Sequence, residues 1–396
     1  MRILQIFNNY VEKGGEEVIV ARLGEGLGEG VEVETLYLTE DQVESHELLK
    51  LMGLFFRMFR NRKSLDLVTG RIEEFKPDVA VLHNFMPLGS LALLGNLKKL
   101  GLPVVYYVHN YRPYSVNGYL WGKGRVMDDG IRKNFIPEIL SAAWQGSRIK
   151  TGAYAVVLWW SHLAGCWRNV DRWIVISEFV RDVFVRAGVG EEKIRVLPHC
   201  HIGEVEALPF PREGKPRFLY LGRLTDAKGV RVLIESWREL KKDGFEGVLE
   251  IAGGGDLEEE VREAAESLDD CNFHGYVQGD EKRELLTSCV ALLVPSIWWE
   301  AFGLVTLDAY AIGRPVIASK SGGLRETVVE GETGWLHESG DAESLASAMR
   351  EVAGDIEEAK RRGLRGMEWL AKNGEEAQWR ERLLGMLNEV LENSGK

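Results

Sequence analysis

The 396-residue sequence is short of cysteine, of basic residues and of long apolar runs. Its four cysteines, Cys166, Cys200, Cys271 and Cys289, lack metal-ligand spacing, which predicts a reduced, cytosolic setting and no metal site. Since Asp and Glu outnumber Lys and Arg by 61 to 49, the net charge of −12 argues against nucleic acid as a partner. No apolar run approaches the roughly 20 residues of a membrane-spanning helix. The chain enters a strand at Arg2, which predicts no signal peptide.

Apolar runs of strand length alternate with helical patterns along the chain, which is typical of α/β proteins with parallel sheets. The length of 396 residues allows two or three domains. Prolines and glycines punctuate the stretch from His199 to Pro216, which we predict to be the domain boundary. We therefore expect domains over residues 1–205 and 206–375, and a C-terminal helix over 376–396 whose packing on the first domain is left open.

The connection from Pro295 to Asp308 is the most informative stretch. It follows an apolar strand and leads into a short helix that ends at Gly313. Glu300 and the backbone amides of Phe302, Gly303 and Leu304 then lie at a helix N-terminus, on the sheet edge where open α/β folds bind ligands. The amides suit a diphosphate. Glu300 would avoid phosphate and contact sugar hydroxyls; the alternative is an acid that only complements the helix dipole.

A second connection carries two cations. Arg223 follows a strand that ends at Gly222, and Lys228 comes five residues later, just before a helix. Arginine can bind two phosphate oxygens and lysine supplies a point charge. The alternative is a pair of ordinary surface cations. The Gly253–Gly255 turn after the next strand lacks the spacing of a dinucleotide or P-loop motif.

Two histidines in the amino-terminal half end predicted parallel strands. His109 follows an almost continuous apolar strand, and a neutral imidazole there can both donate to and accept from sugar hydroxyls. For His83 we favour a hydrogen-bonded strand-end residue with no role in binding. Gly14 and Gly15 form a strand-to-helix turn, where glycine lets a ligand approach the backbone, although an ordinary turn explains them equally well.

Two further stretches are apolar and partly basic. Residues 50–63 have a helical pattern with four cations near the end, which fits either a core-packed helix or one that lies in a membrane interface. Residues 153–168 are too short to span a bilayer, and we predict a buried helix there.

The ordered set of motifs resembles the retaining GT-B glycosyltransferases with an E-x7-E motif, of the family 4 type. The resemblance covers nearly the whole chain. It is carried by these elements: Gly14-Gly15, His109-Asn110, Ser177-Glu178, Gly222-Arg223, Lys228-Gly229, Gly253-Gly254-Gly255, Gly275-Tyr276, Pro295-Ser296, Glu300-Ala-Phe-Gly-Leu304 and Ser321-Gly322-Gly323. His109–Arg112 and Asn117-Gly118 resemble a subgroup common in surface-glycan and polysaccharide assembly.

The resemblance implies a GT-B fold, in which two Rossmann-like, doubly wound parallel-sheet domains face a cleft. It also implies metal-independent, retaining transfer from a UDP- or GDP-sugar to a glycan or lipid-linked acceptor, without a cofactor. The implied setting is cytoplasmic, with peripheral membrane contact through residues 50–63 as an open alternative. The oligomeric state is left open.

The implied roles fall on specific residues. Arg223 and Lys228 would hold the diphosphate, with Gly15 near it, and Gly222 and Gly254 would also bind the donor. Glu300 and His109 would contact the sugar. The amides of Phe302, Gly303 and Leu304 would complete this binding site for the diphosphate and the sugar. Base contacts would come from Tyr276 and Val277, and the ribose would be bound by Asp308.

The sequence departs from the family pattern at two positions that bear on this assignment. The second motif acid is Asp308, one methylene shorter than the usual glutamate, and His199 stands where an asparagine is usual. Two rival functions also remain open, a GT-B glycoside phosphorylase and a sugar-nucleotide-binding protein without turnover.

Overall fold

The computed structural model of the chain describes residues 1–8, 15–39 and 48–395. The chain divides into two compact units. The first consists of Met1–Lys123, Met127–Leu197 and Arg380–Lys396, and the second of Gly124–Val126 and Pro198–Trp379.

The first unit is built on a six-stranded sheet in which every pairing is parallel. The strand order is β2-β1-β3-β4-β7-β8. Two short strands, β5 and β6, lie outside this sheet, and β6 falls within the segment Gly124–Val126 of the second unit. The bounds are β1 Arg2–Asn8, β2 Glu32–Leu38, β3 Val79–Leu82, β4 Val104–Tyr107, β5 Trp121–Gly122, β6 Arg125–Val126, β7 Arg172–Val175 and β8 Ile194–Val196.

The second unit repeats the plan with another parallel six-stranded sheet. Its order, β11-β10-β9-β12-β13-β14, is the 3-2-1-4-5-6 order of Rossmann folds. The prediction of two Rossmann-like parallel-sheet domains is therefore confirmed. The bounds are β9 Arg217–Leu221, β10 Val248–Ala252, β11 Cys271–Phe273, β12 Ala291–Val294, β13 Val316–Ser319 and β14 Gly334–His337.

Helices connect the strands, as parallel crossovers require. Their bounds are α1 Gly15–Gly24, α2 Leu48–Phe59, α3 Arg62–Phe75, α4 Ala92–Lys99, α5 Ile136–Ser141, α6 Arg148–Leu163, α7 Glu178–Arg186, α8 Val230–Lys242, α9 Glu258–Ser267, α10 Gly279–Ser288, α11 Val305–Ala311, α12 Leu324–Thr327, α13 Ala342–Gly354, α14 Ile356–Asn373 and α15 Glu376–Asn393.

The central strands are buried on both faces, which explains their uninterrupted apolar sequences. All residues of β3, β4, β12 and β13 are buried. In the second unit, α8 covers the sheet with Trp237, which is fully buried beside Phe218 in one apolar cluster. This packing fixes the positions at which the strands end, and so the loops that follow them.

Two sequence predictions are wrong in part. Residues 50–63 do not form one helix: α2 ends at Phe59, and Asn61 caps α3 by accepting a hydrogen bond from the amide of Ser64. The predicted buried helix at 153–168 begins earlier, at Arg148, and buries only one of its faces. Within the described ranges, none of the helices combines the length and apolarity needed to cross a bilayer.

Candidate active site

The candidate site of the second unit lies where the strand order reverses. Strands β9 and β12 are hydrogen-bonded neighbours, and the chain leaves them in opposite directions across the sheet. Ligands of open α/β sheets bind outside the carboxyl ends of strands at such a point. The loop after β9 carries Arg223 and Lys228, and the loop after β12 carries Glu300.

Lys228 and Glu300 form a close ion pair across this point. The Lys228 Nζ donates to Glu300 Oε2 over 2.6 Å. The same carboxylate oxygen accepts hydrogen bonds from Ser296 Oγ at 2.9 Å and from Trp298 Nε1 at 3.0 Å. Lys228 also lies 5.2 Å from the centre of the Trp298 ring. Three donors on one oxygen fix the orientation of the Glu300 carboxylate.

Backbone contacts hold the two loops against each other. The carbonyl of Ala227 accepts from the amides of Ile297 and Trp298, at 2.9 and 3.2 Å. Gly229 has a φ of +75°, and a Cβ there would lie 1.9 Å from the Pro295 carbonyl oxygen. Only glycine permits both this conformation and this approach. The Lys228–Glu300 geometry is therefore set by the backbone as well as by charge.

Burial and pairing act in opposite directions on Glu300. Its side chain is buried, which by itself would raise the pKa of the carboxyl, but Lys228, Ser296 and Trp298 together hold that pKa below its usual value. Glu300 is therefore an anion at neutral pH. A buried anion beside a cation can accept hydrogen bonds from neutral hydroxyl groups.

The backbone amides predicted to bind the diphosphate, those of Phe302–Leu304, directly precede the short helix α11. Gly303 has a φ of +89°, and its carbonyl accepts from both the amide and the hydroxyl of Thr306. The Phe302 ring packs edge-on against His199, with centroids 5.3 Å apart. Burial lowers the pKa of His199 to about 3, so this ring is neutral. His199 thus supports the chain that leads into Gly303 and Leu304.

Asp308, the second motif acid, lies on α11 and is already engaged. Lys282 donates to its Oδ2 over 2.7 Å, and His201 Nδ1 lies 3.8 Å from its Oδ1. The structure thus places Asp308 in a polar cluster with Lys282 and His201. Its side chain is half-buried and remains partly accessible.

The other predicted residues of this unit fall at the same sheet edge with different exposure. Arg223 is half-buried, and its carbonyl accepts from the Tyr220 hydroxyl over 2.6 Å. Tyr276 is 73% exposed after β11, whereas Val277 is buried, so only the backbone of Val277 is available to a ligand. Gly222 and Gly254 have room for a Cβ.

The neighbouring glycines of this turn matter more to the packing than Gly254 does. A Cβ on Gly253 would lie 1.8 Å from the Gly222 carbonyl oxygen, and one on Gly255 would lie 2.6 Å from that of Leu224. These two glycines let the loops after β9 and β10 touch. The role predicted for Gly254 in binding the donor stays a prediction.

In the first unit, His109 belongs to a buried hydrogen-bonded chain. His83 Nδ1 lies 2.8 Å from His109 Nε2, and His83 Nε2 lies 2.9 Å from Gln5 Oε1. Gln5 in turn donates from Nε2 to Thr35 Oγ1 at 2.9 Å and to the Val20 carbonyl at 3.3 Å. His83 and His109 also stack, with centroids 5.1 Å apart. His83 is thus a hydrogen-bonded strand-end residue, and it directly contacts His109, the residue predicted to bind the sugar.

Gly15 opens α1 and is exposed; its predicted partner Gly14 lies outside the described residues. Four residues to which the sequence alone assigned no role contact the predicted site residues: Gln5, Ser296, Trp298 and Lys282. Gln5 had a signal, because it is the one polar residue within the otherwise apolar run from Ile3 to Phe7. Ser296 and Trp298 lie within four residues of Glu300, where a loop can return its donors to the acid.

Comparison with known proteins identifies the family. Residues 13–200 match the model for Glycosyltransferase Family 4, and residues 206–369 match the model for Glycosyl transferases group 1. Together the matches span most of the chain. The chain belongs to the GT-B glycosyltransferases of the family 4 type.

Individual relatives match over shorter stretches. Glycogen synthase of Mycobacterium tuberculosis is 37% identical over 155 residues, which are 38% of this chain and 37% of that protein. The amylovoran biosynthesis glycosyltransferase AmsK of Erwinia amylovora is 33% identical over 141 residues, 34% of this chain and 35% of that protein. The chain thus spans about a third of the length of these relatives.

Solved structures match over almost the full length. Sucrose-phosphate synthase from Thermosynechococcus elongatus superimposes with a TM-score of 0.72 and 19% identity, covering 99% of each chain. Anabaena HepE in complex with UDP-glucose superimposes with a TM-score of 0.69 and 16% identity, covering 98% of this chain and 100% of that one. At these identities the likeness shows the fold alone.

Proposed function

We propose that the chain transfers a sugar from a UDP- or GDP-sugar to a glycan or lipid-linked acceptor, with retention at the anomeric carbon and without a metal ion. The observation that carries this proposal is the Lys228–Glu300 pair at the reversal point of the second sheet. Two named relatives support the donor class. The HepE structure holds UDP-glucose, and a mannosyltransferase of Mycolicibacterium smegmatis is described as GDP-mannose-dependent.

The proposed chemistry places positive groups where charge develops. The bond between the anomeric carbon and the diphosphate oxygen breaks, the acceptor oxygen bonds to that carbon, and the acceptor proton passes to the departing phosphate. Lys228, Arg223 and the amides of Phe302–Leu304 stabilise the charge that builds on the diphosphate. Removal of one such fixed donor typically costs ~3 kcal/mol in the barrier. Because α11 has only seven residues, the individual amides contribute more than a helix dipole.

The remaining contacts select the donor. Because Glu300 Oε2 accepts from three protein donors, we assign the sugar hydroxyls to Oε1, with His109 as a second sugar ligand. Asp308 would bind the ribose. The exposed ring of Tyr276 would stack on the base, with the Val277 backbone beside it. Gly15, Gly222 and Gly254 would leave room near the diphosphate.

We place the activity in the cytoplasm, which the low cysteine content, four in 396 residues, supports. Peripheral membrane contact through residues 50–63 also remains part of the proposal. The exposed side chains of Arg57, Arg60 and Arg62 support it. The burial of Met58 shows that α2 is at the same time partly packed into the first unit.

A thermal-shift panel of UDP, GDP, ADP and their sugars tests the donor assignment, because a ligand that binds the folded state raises its melting temperature. We expect a UDP or GDP species to give the largest shift. Glu300→Gln should keep nucleotide binding and lose transfer, while Glu338→Gln, at an exposed lysine-paired glutamate, should keep both. Phosphate-dependent glycoside cleavage without nucleotide binding would instead identify a phosphorylase. Nucleotide binding without turnover on any acceptor would identify a non-enzymatic binder.

A further inference from the structure

Helix α6 has an apolar face that is exposed. Its inner side buries Tyr154, Val157, Leu158 and Ser161 against the first unit. Its outer side carries five exposed large hydrophobic side chains, including two adjacent tryptophans that are each about half exposed, at 52% and 49%. The five are Ile149, Val156, Trp159, Trp160 and Leu163.

Two neighbouring helices extend this surface. Helices α2 and α5 both pack against α6. They expose Phe56, Ile136 and Leu140 by 63%, 62% and 54%. We call these three side chains and the five of α6 the α6 face. Among the described residues, the α6 face holds eight of the fifteen strongly exposed large hydrophobic side chains, and apolar patches concentrated in this way mark interaction sites.

Acidic residues are absent from the two sequence segments that carry seven of the eight side chains of the α6 face, and Glu138, which lies two residues from the eighth on α5, is buried. Residues 48–65 and 139–170 contain no Asp or Glu, although acidic residues predominate in the chain as a whole. The same two segments contain eight cations: Lys50, Arg57, Arg60, Arg62, Lys63, Arg148, Lys150 and Arg168. Arg57, Arg60, Arg62, Arg148 and Arg168 are exposed. The α6 face is therefore an apolar surface bordered by cations on an acidic protein.

We propose that the α6 face docks on the surface of an anionic lipid bilayer. Helices that lie in the interface place Trp, Phe and Leu toward the acyl chains and Lys and Arg toward the headgroups. Tryptophan in particular concentrates at the level of the headgroups. A patch of cations without acids complements an anionic lipid surface, and the attraction of each basic residue adds to the apolar burial. The inference rests on the proposed membrane contact through residues 50–63 and deepens it, by assigning the apolar part of the contact to the α6 face and an anionic charge to the lipid; it does not require a donor.

Vesicle sedimentation of the full chain tests the proposal. Phosphatidylcholine vesicles with and without phosphatidylglycerol are compared, each at low and high salt. We expect binding to the anionic vesicles that weakens as salt rises. Trp159→Ser with Trp160→Ser should weaken binding roughly tenfold or more, because two large apolar groups no longer enter the interface. Arg60→Gln with Arg62→Gln should weaken binding and reduce its salt dependence.

The control is Leu100→Ser, which removes an exposed apolar side chain of the same unit outside the α6 face. It should bind vesicles like the wild type. Because the substituted tryptophans are exposed, all variants should keep the wild-type melting temperature and the nucleotide-induced shift, which separates this test from that of the transferase proposal. Equal pelleting of the wild type and the tryptophan variant, or no pelleting with anionic vesicles, would overturn the inference. A wild-type dimer that the tryptophan change converts to a monomer, without vesicle binding, would identify a self-association surface instead.

Discussion

His109 donates a hydrogen bond from Nε2 to the Nδ1 of His83 over 2.8 Å. The direction follows from Gln5, whose NH₂ group faces the Val20 carbonyl, so that its oxygen must accept from His83 Nε2. Burial lowers the pKa of His83 to about 3, so the ring is neutral and its Nδ1 can only accept. A neutral His109 therefore carries its lone pair on Nδ1. Gln5 and His83 thus orient the ring of His109, which we propose as a sugar ligand.

Replacement of His83 tests this chain of hydrogen bonds. His83→Asn offers an amide oxygen near the position of Nδ1, whereas His83→Leu offers no acceptor. We expect His83→Leu to lower kcat/KM about tenfold and His83→Asn to stay within about threefold of the wild type, since one hydrogen bond is at stake. Steady-state kinetics with the donor varied measures this. Equal losses in both variants, at matched melting temperatures, would show that His83 only fills space.

The Lys228–Glu300 pair predicts a non-additive effect on stability. Lys228→Ala leaves a buried carboxylate without its cation and should destabilise the second unit by about 3 kcal/mol. The double variant with Glu300→Gln should recover most of that loss, because the unpaired charge is gone, while transfer stays absent. Denaturant titration of the two single variants and the double variant measures the coupling.

The exposed Lys320–Glu338 pair, also 2.6 Å long, is the matched control for this cycle. Its coupling should lie between about 0 and 1 kcal/mol, as for other solvent-exposed pairs. Similar coupling energies in the two cycles would contradict the prediction that burial increases the coupling energy between Lys228 and Glu300.

Asp308 should contribute to binding rather than to the chemical step. Asp308→Asn keeps the size of the side chain and removes the charge held by Lys282. We expect the donor KM and the nucleotide Kd to rise roughly five- to tenfold with kcat nearly unchanged, the pattern of a uniform binding contact. Calorimetry with the free nucleotide measures the Kd. A lower kcat with unchanged affinity would instead show that Asp308 contributes to the chemical step. Asp243→Asn, at an exposed ion pair, serves as the control.

Four histidines, three buried and one half-buried, predict acid sensitivity. Burial lowers the pKa of His83 and His199 to about 3, and that of His162 and His337 to about 4. The unfolded chain takes up these protons near pH 6.5, while the folded protein excludes them until much lower pH. Stability is thus present above about pH 6.5 and falls as the pH drops, so the melting temperature should decrease clearly between about pH 7 and about pH 5. A constant melting temperature over that range would contradict this.

The titration of Glu138 should change the stability in the opposite direction to that of the histidines. Burial raises its pKa to about 7, although Ser115, Val116 and Arg112 lower it in part. The stability linked to this group is present at low pH and is lost as the pH rises through about 7. Glu138→Gln should therefore gain up to roughly 3 kcal/mol relative to the wild type at about pH 8 and little at about pH 5. Denaturant titration at the two pH values measures the difference, and a pH-independent difference would contradict it.

The sequence predicted those parts of the molecule that depend on local patterns. The turns after β9 and β12 could be assigned to one sheet edge, because parallel strands all end there, and Lys228 and Glu300 do meet. The contact of Gln5 with His83 could not be predicted, since it depends on β1 lying beside β3.

Two errors have local causes that the periodicity alone did not reveal. The cap at Asn61 breaks the predicted helix at 50–63 into α2 and α3, although the apolar spacing runs through that point. In α6, apolar residues occur all around the helix, so the pattern predicted full burial and gave no sign that one side is exposed.

Strand β12 lies between β9 and β13, yet it is made only after two further strands have followed β9 along the chain. Lys228 is thus synthesised 72 residues before its partner acid. A nascent chain that ends at Phe273 contains Lys228 but not Glu300, whose carboxylate accepts a hydrogen bond from it. The Lys228–Glu300 pair, and with it the site proposed to bind the sugar nucleotide, can therefore form only after the chain has been synthesised through Glu300.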